Sequence, residues 1–274
     1  MEITLLGTGD TTGTPTAGCE CATCARARER GIERSRFSVH VRNERTDEAL
    51  LVDASPDFRQ QFLRTESTLP DAVIISHIHF DHLDGLGNVF RLCKGIPVLA
   101  SSQVDEVTGE SVAETVDRRY DYLDAITVDP VAPLQTQTVC GFEIQLIPVS
   151  HPPLDSYGVV IEDPETGVRV GITGDTNFAI PDESREQLRD VDLLIADAIV
   201  HADFCDDHPA GGRHYNDNGV PRTFGRKHMT REGALSLGSA VNADRIRLVH
   251  VSHFYPPDAA FADPLAVDGE QHFL

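Results

Sequence analysis

Four residues of metal-binding type lie within six positions in Ser76-His77-Ile78-His79-Phe80-Asp81-His82. Neutral imidazole is a favoured ligand for zinc and related ions, and carboxylate oxygens widen the choice to harder metals. Packing does not account for imidazoles at this density, so the segment reads as a divalent-metal site. Four further polar residues each close or closely follow an apolar run. Asp53 follows Leu50-Leu51-Val52, His151 follows Ile147-Pro148-Val149-Ser150, and Asp175 lies in Gly171-Ile172-Thr173-Gly174-Asp175-Thr176. His250 follows Ile246-Arg247-Leu248-Val249. Taken singly, His151 would pass for a proline-flanked surface histidine and Asp175 for a turn aspartate. A second ligand chemistry appears in Cys19-Glu20-Cys21-Ala22-Thr23-Cys24. In a cytosolic enzyme such a cluster points to metal before disulfides. Structural zinc takes four ligands, and His253, three residues after His250, is the candidate fourth. Cys93, Cys140 and Cys205 are scattered and read as small buried residues.

The elements that position these residues alternate. Ala72-Val73-Ile74-Ile75 is β-branched, bounded by Pro70-Asp71, and predicts a short buried strand. Gly85 and Gly87 follow, then a helix-like stretch. The histidines therefore sit on a loop leaving the C-terminal end of a strand, a usual place for α/β sites. Strands are predicted over residues 2–6, Phe37–Val41, Leu50–Asp53, Ile96–Ala100, Ala125–Val128, Phe142–Val149, Tyr157–Glu162, Val168–Thr173, Leu193–Ala196 and Ile246–Val249. Helices are expected from Ser55-Pro56 through Leu63, over 101–123, over Glu183–Leu188, and over Thr230–Val241 with Thr230 as cap. The charge run Arg26 to Arg36 reads as a solvated helix, and Gly7-Thr8-Gly9-Asp10 as a tight turn at the edge of the site. Residues 201–225, with His201, His208 and His214, read as one long loop, a candidate substrate lid. From Pro256 the tail is rich in Pro and Asp, and no internal repeat is visible.

A chain of 274 residues, 40% hydrophobic, suits a single domain over 1–274 with a sizeable core. No apolar run is long enough to span a membrane, and Met1-Glu2-Ile3-Thr4 enters a strand with no visible signal peptide, so a cytoplasmic enzyme is expected. Net charge is −21, and Lys94 and Lys227 are the only lysines. This composition suggests adaptation to concentrated salt, a halophilic character. It argues against nucleic-acid partners, an argument that salt screening weakens. A homodimer is among the assemblies expected.

The His-x-His-x-Asp-His pattern, with the Asp53 motif before it and the His151, Asp175 and His250 motifs after it in order, resembles the metallo-β-lactamase-fold hydrolases along nearly the whole chain. The resemblance implies an αββα four-layer sandwich and two active-site metal ions, zinc or manganese. It implies that His77, His79 and His151 hold the first ion, that Asp81, His82 and His250 hold the second, and that Asp175 bridges them. Two ions about 4 Å apart would activate water and stabilise charge on attacking and leaving oxygens. Asp53 is placed either to orient a ligand histidine or to accept backbone hydrogen bonds at its strand end.

Cys19, Cys21, Cys24 and His253 resemble the structural zinc set of the phosphoribosyl cyclic phosphate phosphodiesterase subfamily of the carbon–phosphorus lyase pathway. The motif is shared with a subfamily of pyrroloquinoline quinone biosynthesis, so it leaves the substrate open. Lys227-His228-Met229-Thr230 resembles the extra histidine motif of the phosphodiesterase branch, including the tRNA 3′-processing nucleases. Asp81 and His228 are the candidate catalytic residues, and that resemblance implies His228 as the general acid at a near-neutral pKa. The expected activity is a dinuclear metal-dependent phosphodiesterase acting on a small cyclic phosphate or nucleotide-like ester. The alternatives are an RNA-processing nuclease of the tRNase Z type, a cofactor-biosynthesis enzyme, and a binding protein without turnover. No tRNA-gripping arm is recognisable, which weakens the first of these.

Overall fold

The computed structural model describes residues 1–123, 127–208, 215–217 and 219–274. The first half of the chain runs β1 (Glu2–Gly7), α1 (Ala22–Arg30), β2 (Ser38–Arg42), β3 (Ala49–Val52), α2 (Phe58–Thr65), β4 (Ala72–Ile75), α3 (Phe80–Leu83), α4 (Leu86–Leu92), β5 (Pro97–Ser101), α5 (Val112–Tyr120) and β6 (Thr127–Val131). The second half continues β7 (Gln137–Val139), β8 (Phe142–His151), β9 (Leu154–Glu162), β10 (Arg169–Ile172), α6 (Asp182–Gln187), β11 (Leu193–Asp197), β12 (Tyr215–Asp217), β13 (Val220–Phe224), β14 (His228–Met229), α7 (Arg231–Ala240), β15 (Arg245–Val249) and β16 (Glu270–Phe273).

Two large sheets result. One has the order β16-β1-β2-β3-β4-β5-β6 and the other β15-β11-β10-β9-β8-β7. Side-chain alternation along the strands shows how they stack. Leu146, Val159, Leu193 and Ile195 pack with Ile3, Val39 and Ile74 of the first sheet in one core. Their sequence neighbours Ile147, Val160, Leu194 and Ala196 face the other way, into a second core with Ala234 and Leu237 of α7. A period of two thus gives the second sheet two apolar faces. On the outer face of the first sheet, α2, α4 and α5 supply Phe58, Phe62, Leu86, Phe90, Val112 and Val116. The architecture is the helix–sheet–sheet–helix sandwich expected. Central β3 and β4 are parallel and wholly buried, which explains their unbroken apolar runs.

Several expectations change. Within 101–123 only Val112–Tyr120 is helical. Asp105 Oδ1 accepts the Val107 and Thr108 N–H groups at 2.7 and 2.8 Å and folds that stretch as a turn. The helix begins at a reciprocal cap. Ser111 Oγ accepts the Glu114 N–H at 3.1 Å, and the Glu114 carboxylate accepts the Ser111 N–H at 2.8 Å. The strand placed at Ala125–Val128 begins, among described residues, at Thr127. Within 201–225, β12 and β13 join β14 in a three-stranded sheet. Residues 209–214, with His214, and residue 218 lie outside the described residues, as does that part of the lid. The proline-rich tail returns as β16, pairing antiparallel with β1. Among described residues no helix is long and apolar enough to cross a membrane.

Candidate metal centre

Five of the histidines and aspartates singled out in the sequence lie at, or just beyond, the C-terminal end of a strand. Asp53 follows β3, His77 follows β4, His151 ends β8, Asp175 follows β10 and His250 follows β15. Asp53 and His250 hold φ values of 60° and 56°, left-handed conformations that L-residues seldom adopt away from functional turns. His79 precedes α3, whose single turn carries Asp81 and His82 inward. The helix that follows needs Gly85. A Cβ there would lie 1.9 Å from the Ser55 carbonyl oxygen, so only glycine lets the loop after β4 close on the loop after β3.

The side chains converge in two groups. In the first, His77 Nε2 lies 2.9 Å from His79 Nδ1, which lies 3.2 Å from His151 Nε2. Asp175 Oδ2 is 3.9 Å from His77 Nε2 and 4.0 Å from His151 Nε2. In the second, Asp81 Oδ2 is 3.7 Å from His82 Nε2 and 3.8 Å from His250 Nε2. Both of those nitrogens are 3.3 Å from Asp175 Oδ2, so one carboxylate oxygen stands between the two groups. Separations of this order are the edges of coordination polyhedra with bonds of about 2.0–2.2 Å.

The outer ring nitrogens of His77, His151 and His82 are already spoken for. His77 Nδ1 meets Ser76 Oγ at 2.9 Å, and His151 Nδ1 lies 2.9 Å from the Lys227 carbonyl. His82 Nδ1 pairs with Asp53 Oδ2 at 2.6 Å. Asp53 also accepts the Ser76 N–H and hydroxyl at 2.8 and 2.7 Å, so both readings of this aspartate hold together. Such contacts fix which nitrogen faces inward. In the second group the inward face lacks a partner. His82 Nε2 and both ring nitrogens of His250 are buried without a hydrogen bond among the described residues. Buried groups left so are costly, and a divalent cation would satisfy them. The residues fit the metals that the resemblance implied.

Electrostatics divides the two groups. Burial opposes charge on His82, but Asp175, Asp53 and Asp81 outweigh it and hold the imidazole well above its ordinary pKa. Burial likewise opposes charge on His250, yet the carboxylates of Asp175 and Asp81, 3.3 and 3.8 Å from its Nε2, raise it to about 9. Burial alone would raise Asp175, but His250 and His82 keep it well below the carboxylate range. In the other group burial dominates. His77 and His79 are depressed, and His151 falls to about 3.

His228, on β14, stacks on His250 at 4.9 Å and meets His151 at 4.8 Å between ring centroids. Its Nδ1 lies 2.8 Å from Asp197 Oδ2, and Asp197 also accepts the Thr176 N–H at 2.9 Å. Burial disfavours both charges. It lowers His228 to about 3, below the near-neutral value expected from the sequence, and raises Asp197 well above its ordinary range. Asp197 was not singled out in the sequence. The signal was there, because it closes the apolar run Leu193–Ala196 as Asp53 closes its own. Thr11, also missed, donates its hydroxyl to Asp81. A cavity of about 360 Å³ opens above these groups, lined by Asp10, Thr11, Ile199, Phe224, Lys227 and His228 among others.

The cysteine cluster forms beside this site. Cys21 caps α1, and Cys24 lies in its first turn. Cys19 and Cys21 Sγ lie 3.5 and 3.1 Å from His253 Nδ1, and ligand atoms of all four residues fall within 4.8 Å of one another. No cysteine is in a disulfide. Burial pushes the Cys24 thiol up to about 12, whereas the Cys21 N–H lowers Cys19. Three sulfurs and an imidazole at these distances suit one tetrahedral zinc.

Known proteins place the chain. It is 28% identical over 264 residues to an octanoyltransferase of Porphyromonas gingivalis, a match covering 93% of this chain and 47% of that protein. The chain thus spans about half the length of that relative. It is 29% identical over 232 residues to coenzyme PQQ synthesis protein B of Methylobacterium nodulans, covering 74% of each. Among solved structures, a diphosphatase from the PhnP family superposes with a TM-score of 0.76 at 26% identity, over 99% of this chain and 96% of that one. Zinc-bound PqqB from Methylobacterium extorquens does so with a TM-score of 0.78 at 19% identity over 100% of both. The model of the beta-lactamase superfamily domain matches residues 48–251, the span from β3 to the residue after His250, and the chain belongs to that superfamily.

Proposed function

We propose that the protein is a dinuclear metal-dependent phosphodiesterase acting on a small cyclic phosphate or nucleotide-like phosphodiester. The observation that carries this reading is His228, held by buried Asp197 against ligand residues of both metal groups. Hydrolysis of an alkyl phosphodiester needs an activated nucleophile and a proton for the departing alkoxide. Two divalent ions, zinc or manganese, would lower the pKa of water and stabilise charge on phosphoryl oxygens when bound. His77, His79 and His151 would hold one ion, Asp81, His82 and His250 the other, with Asp175 between them. Cys19, Cys21, Cys24 and His253 would hold a third, structural zinc that ties the loop before α1 to the strand end carrying His250.

His228 is the proposed general acid. In the free protein its imidazole is neutral and its pair with Asp197 is buried. A phosphate beside it adds negative charge, which raises its pKa and favours the protonated ring. Asp197 fixes the ring so that Nε2 points to the reacting centre, and it is a positioning residue. The cavity of about 360 Å³ supports a small substrate, since it is at the lower end of small-molecule sites.

A second reading, a cofactor-biosynthesis enzyme, draws on the relatives named for PQQ synthesis. A substrate panel separates them. Bis-p-nitrophenyl phosphate, cyclic phosphates, a diphosphate ester and precursor tRNA would be assayed with zinc, manganese and iron. Turnover of small diesters with little tRNA cleavage supports the first reading. No phosphoester turnover with any metal would leave the second.

A further inference from the structure

Asp81 rides on α3, a single turn of four residues with no side-chain cap at its start. A carboxylate on so short an element turns about its own side-chain torsions, and ordering them costs entropy. His77, His82 and His151 are each held from behind, by the Ser76 hydroxyl, the Asp53 carboxylate and the Lys227 carbonyl. Among the described residues one hydrogen bond does the same for Asp81, the donation of the Thr11 hydroxyl to its Oδ2. This is the oxygen that lies 3.7 Å from His82 Nε2 and 3.8 Å from His250 Nε2. An ionised carboxylate oxygen offers more than one lone pair, so Oδ2 can take the hydroxyl on one and a cation on the other.

The loop that carries Thr11 is built to keep it still. The Gly9 N–H donates to the Ser35 carbonyl at 2.7 Å, and a Cβ on Gly9 would lie 2.6 Å from the Arg34 carbonyl oxygen. Only glycine lets the loop press so closely against the segment before β2. Asp10 folds the loop back on itself, its Oδ1 accepting the Thr12 N–H at 3.1 Å and the Gly13 N–H at 3.0 Å. Beyond it, Thr14 and Arg34 exchange backbone hydrogen bonds at 3.0 and 2.7 Å. The Thr11 carbonyl accepts Arg36 Nε at 3.2 Å, and Asp57 clamps that guanidinium at 2.9 and 3.1 Å. The hydroxyl is therefore in place before any ion arrives, which is what an outer contact must achieve to orient a ligand.

We propose that Thr11 is a positioning residue that holds Asp81 in its ligating orientation and so sets the affinity of the Asp81–His82–His250 group for its ion. This rests on the dinuclear reading of the His/Asp groups, and not on which ester is cleaved. Two effects of the hydrogen bond oppose each other. It draws charge from Oδ2, which weakens the bond to a cation, and it leaves the carboxylate with no further ordering to undergo. Outer contacts of this kind raise metal affinity by about 10–100-fold, so the second effect wins.

The test reads metal binding and not turnover. Cadmium-113 magnetic resonance of fully loaded protein separates the three ligand sets by their chemistry, because sulfur, imidazole and carboxylate donors shift the nucleus differently. Chelator competition followed on those resonances gives an affinity for each. Thr11→Val replaces the hydroxyl with a methyl group of similar size. It should weaken the Asp81–His82–His250 ion by about 10–100-fold and the cysteine ion not at all. Thr11→Ser keeps the hydroxyl and should restore most of the affinity. If Thr11→Val does not fold, Thr11→Ala carries the same comparison. Equal affinities in variant and wild type, or tighter binding in the variant, overturn the proposal. So does equal weakening of all three ions, which would make Thr11 a residue of the fold alone. If the wild-type protein shows only the sulfur-ligated ion, the dinuclear reading itself fails and the proposal falls with it.

Discussion

His228 and Asp197 form a buried pair in which burial disfavours both charges, so the proton His228 would donate depends on what else occupies the site. If His228 is the general acid, His228→Ala should slow an alkyl or ribosyl phosphodiester by about 10²–10⁴-fold. A p-nitrophenyl ester should lose far less, because p-nitrophenolate leaves without a proton. Equal losses, or loss of metal, would make His228 a ligand or positioning group instead. The neighbouring His250 gives a pH dependence. Metal needs its neutral ring, but the carboxylates around it raise its pKa to about 9 in the metal-free protein. Metal uptake near pH 7 should therefore release a proton from His250, and apparent affinity should climb by about tenfold per pH unit for each proton displaced, levelling above that pKa. The same raised pKa stabilises the metal-free fold below the ordinary value of 6.5, and that contribution fades as pH rises through about 9. Calorimetric titration with zinc in buffers of different ionisation heat counts the protons, and a pH-independent affinity would contradict this assignment. Residues such as His77 and Asp81 were legible in the sequence because they crowd into one loop. Thr11 was not, because its partner Asp81 is 70 positions away and only the fold brings them together.

The strand ends do the positioning, and they were legible where apolar runs stop at a polar residue. Shorter or two-sided elements were not. β7 has three residues and no apolar alternation, and β16 is a half-exposed, mostly polar strand that exists because β1 offers it an edge. The segment 101–110 carries charges at helix-like intervals, yet Asp105 takes two backbone N–H groups and makes a turn. The cysteine cluster belongs to this scale, since it joins the loop before α1 to the loop after β15. A closed four-ligand site contributes its metal-binding free energy to folding. Cys21→Ser should therefore lower the melting temperature more than it changes catalysis measured at low temperature. Equal melting temperatures for the two proteins would remove the structural role.

Net charge of −21 acts on the molecule as a whole. Self-repulsion weakens a compact state most where the Debye length is long, about 30 Å at 0.01 M salt against about 8 Å at 0.15 M. The melting temperature should fall on dialysis into dilute buffer and recover with salt, and an unchanged value there would rule out salt adaptation. Two sheets with their strand ends at one rim bring Asp53, His77, Asp81, His151, Asp175 and His250 together from across about 200 positions of sequence. If this rim holds two ions that act together on a phosphodiester, metal loading and hydrolysis must rise together. The direct measurement is a titration of chelator-treated protein with zinc or manganese, following bound metal per chain and hydrolysis of bis-p-nitrophenyl phosphate in the same samples. Hydrolysis should appear only as the His/Asp groups fill, reaching its plateau at two ions there besides the one at the cysteines. Full activity in metal-free protein, or full loading without hydrolysis of any phosphodiester, would contradict it.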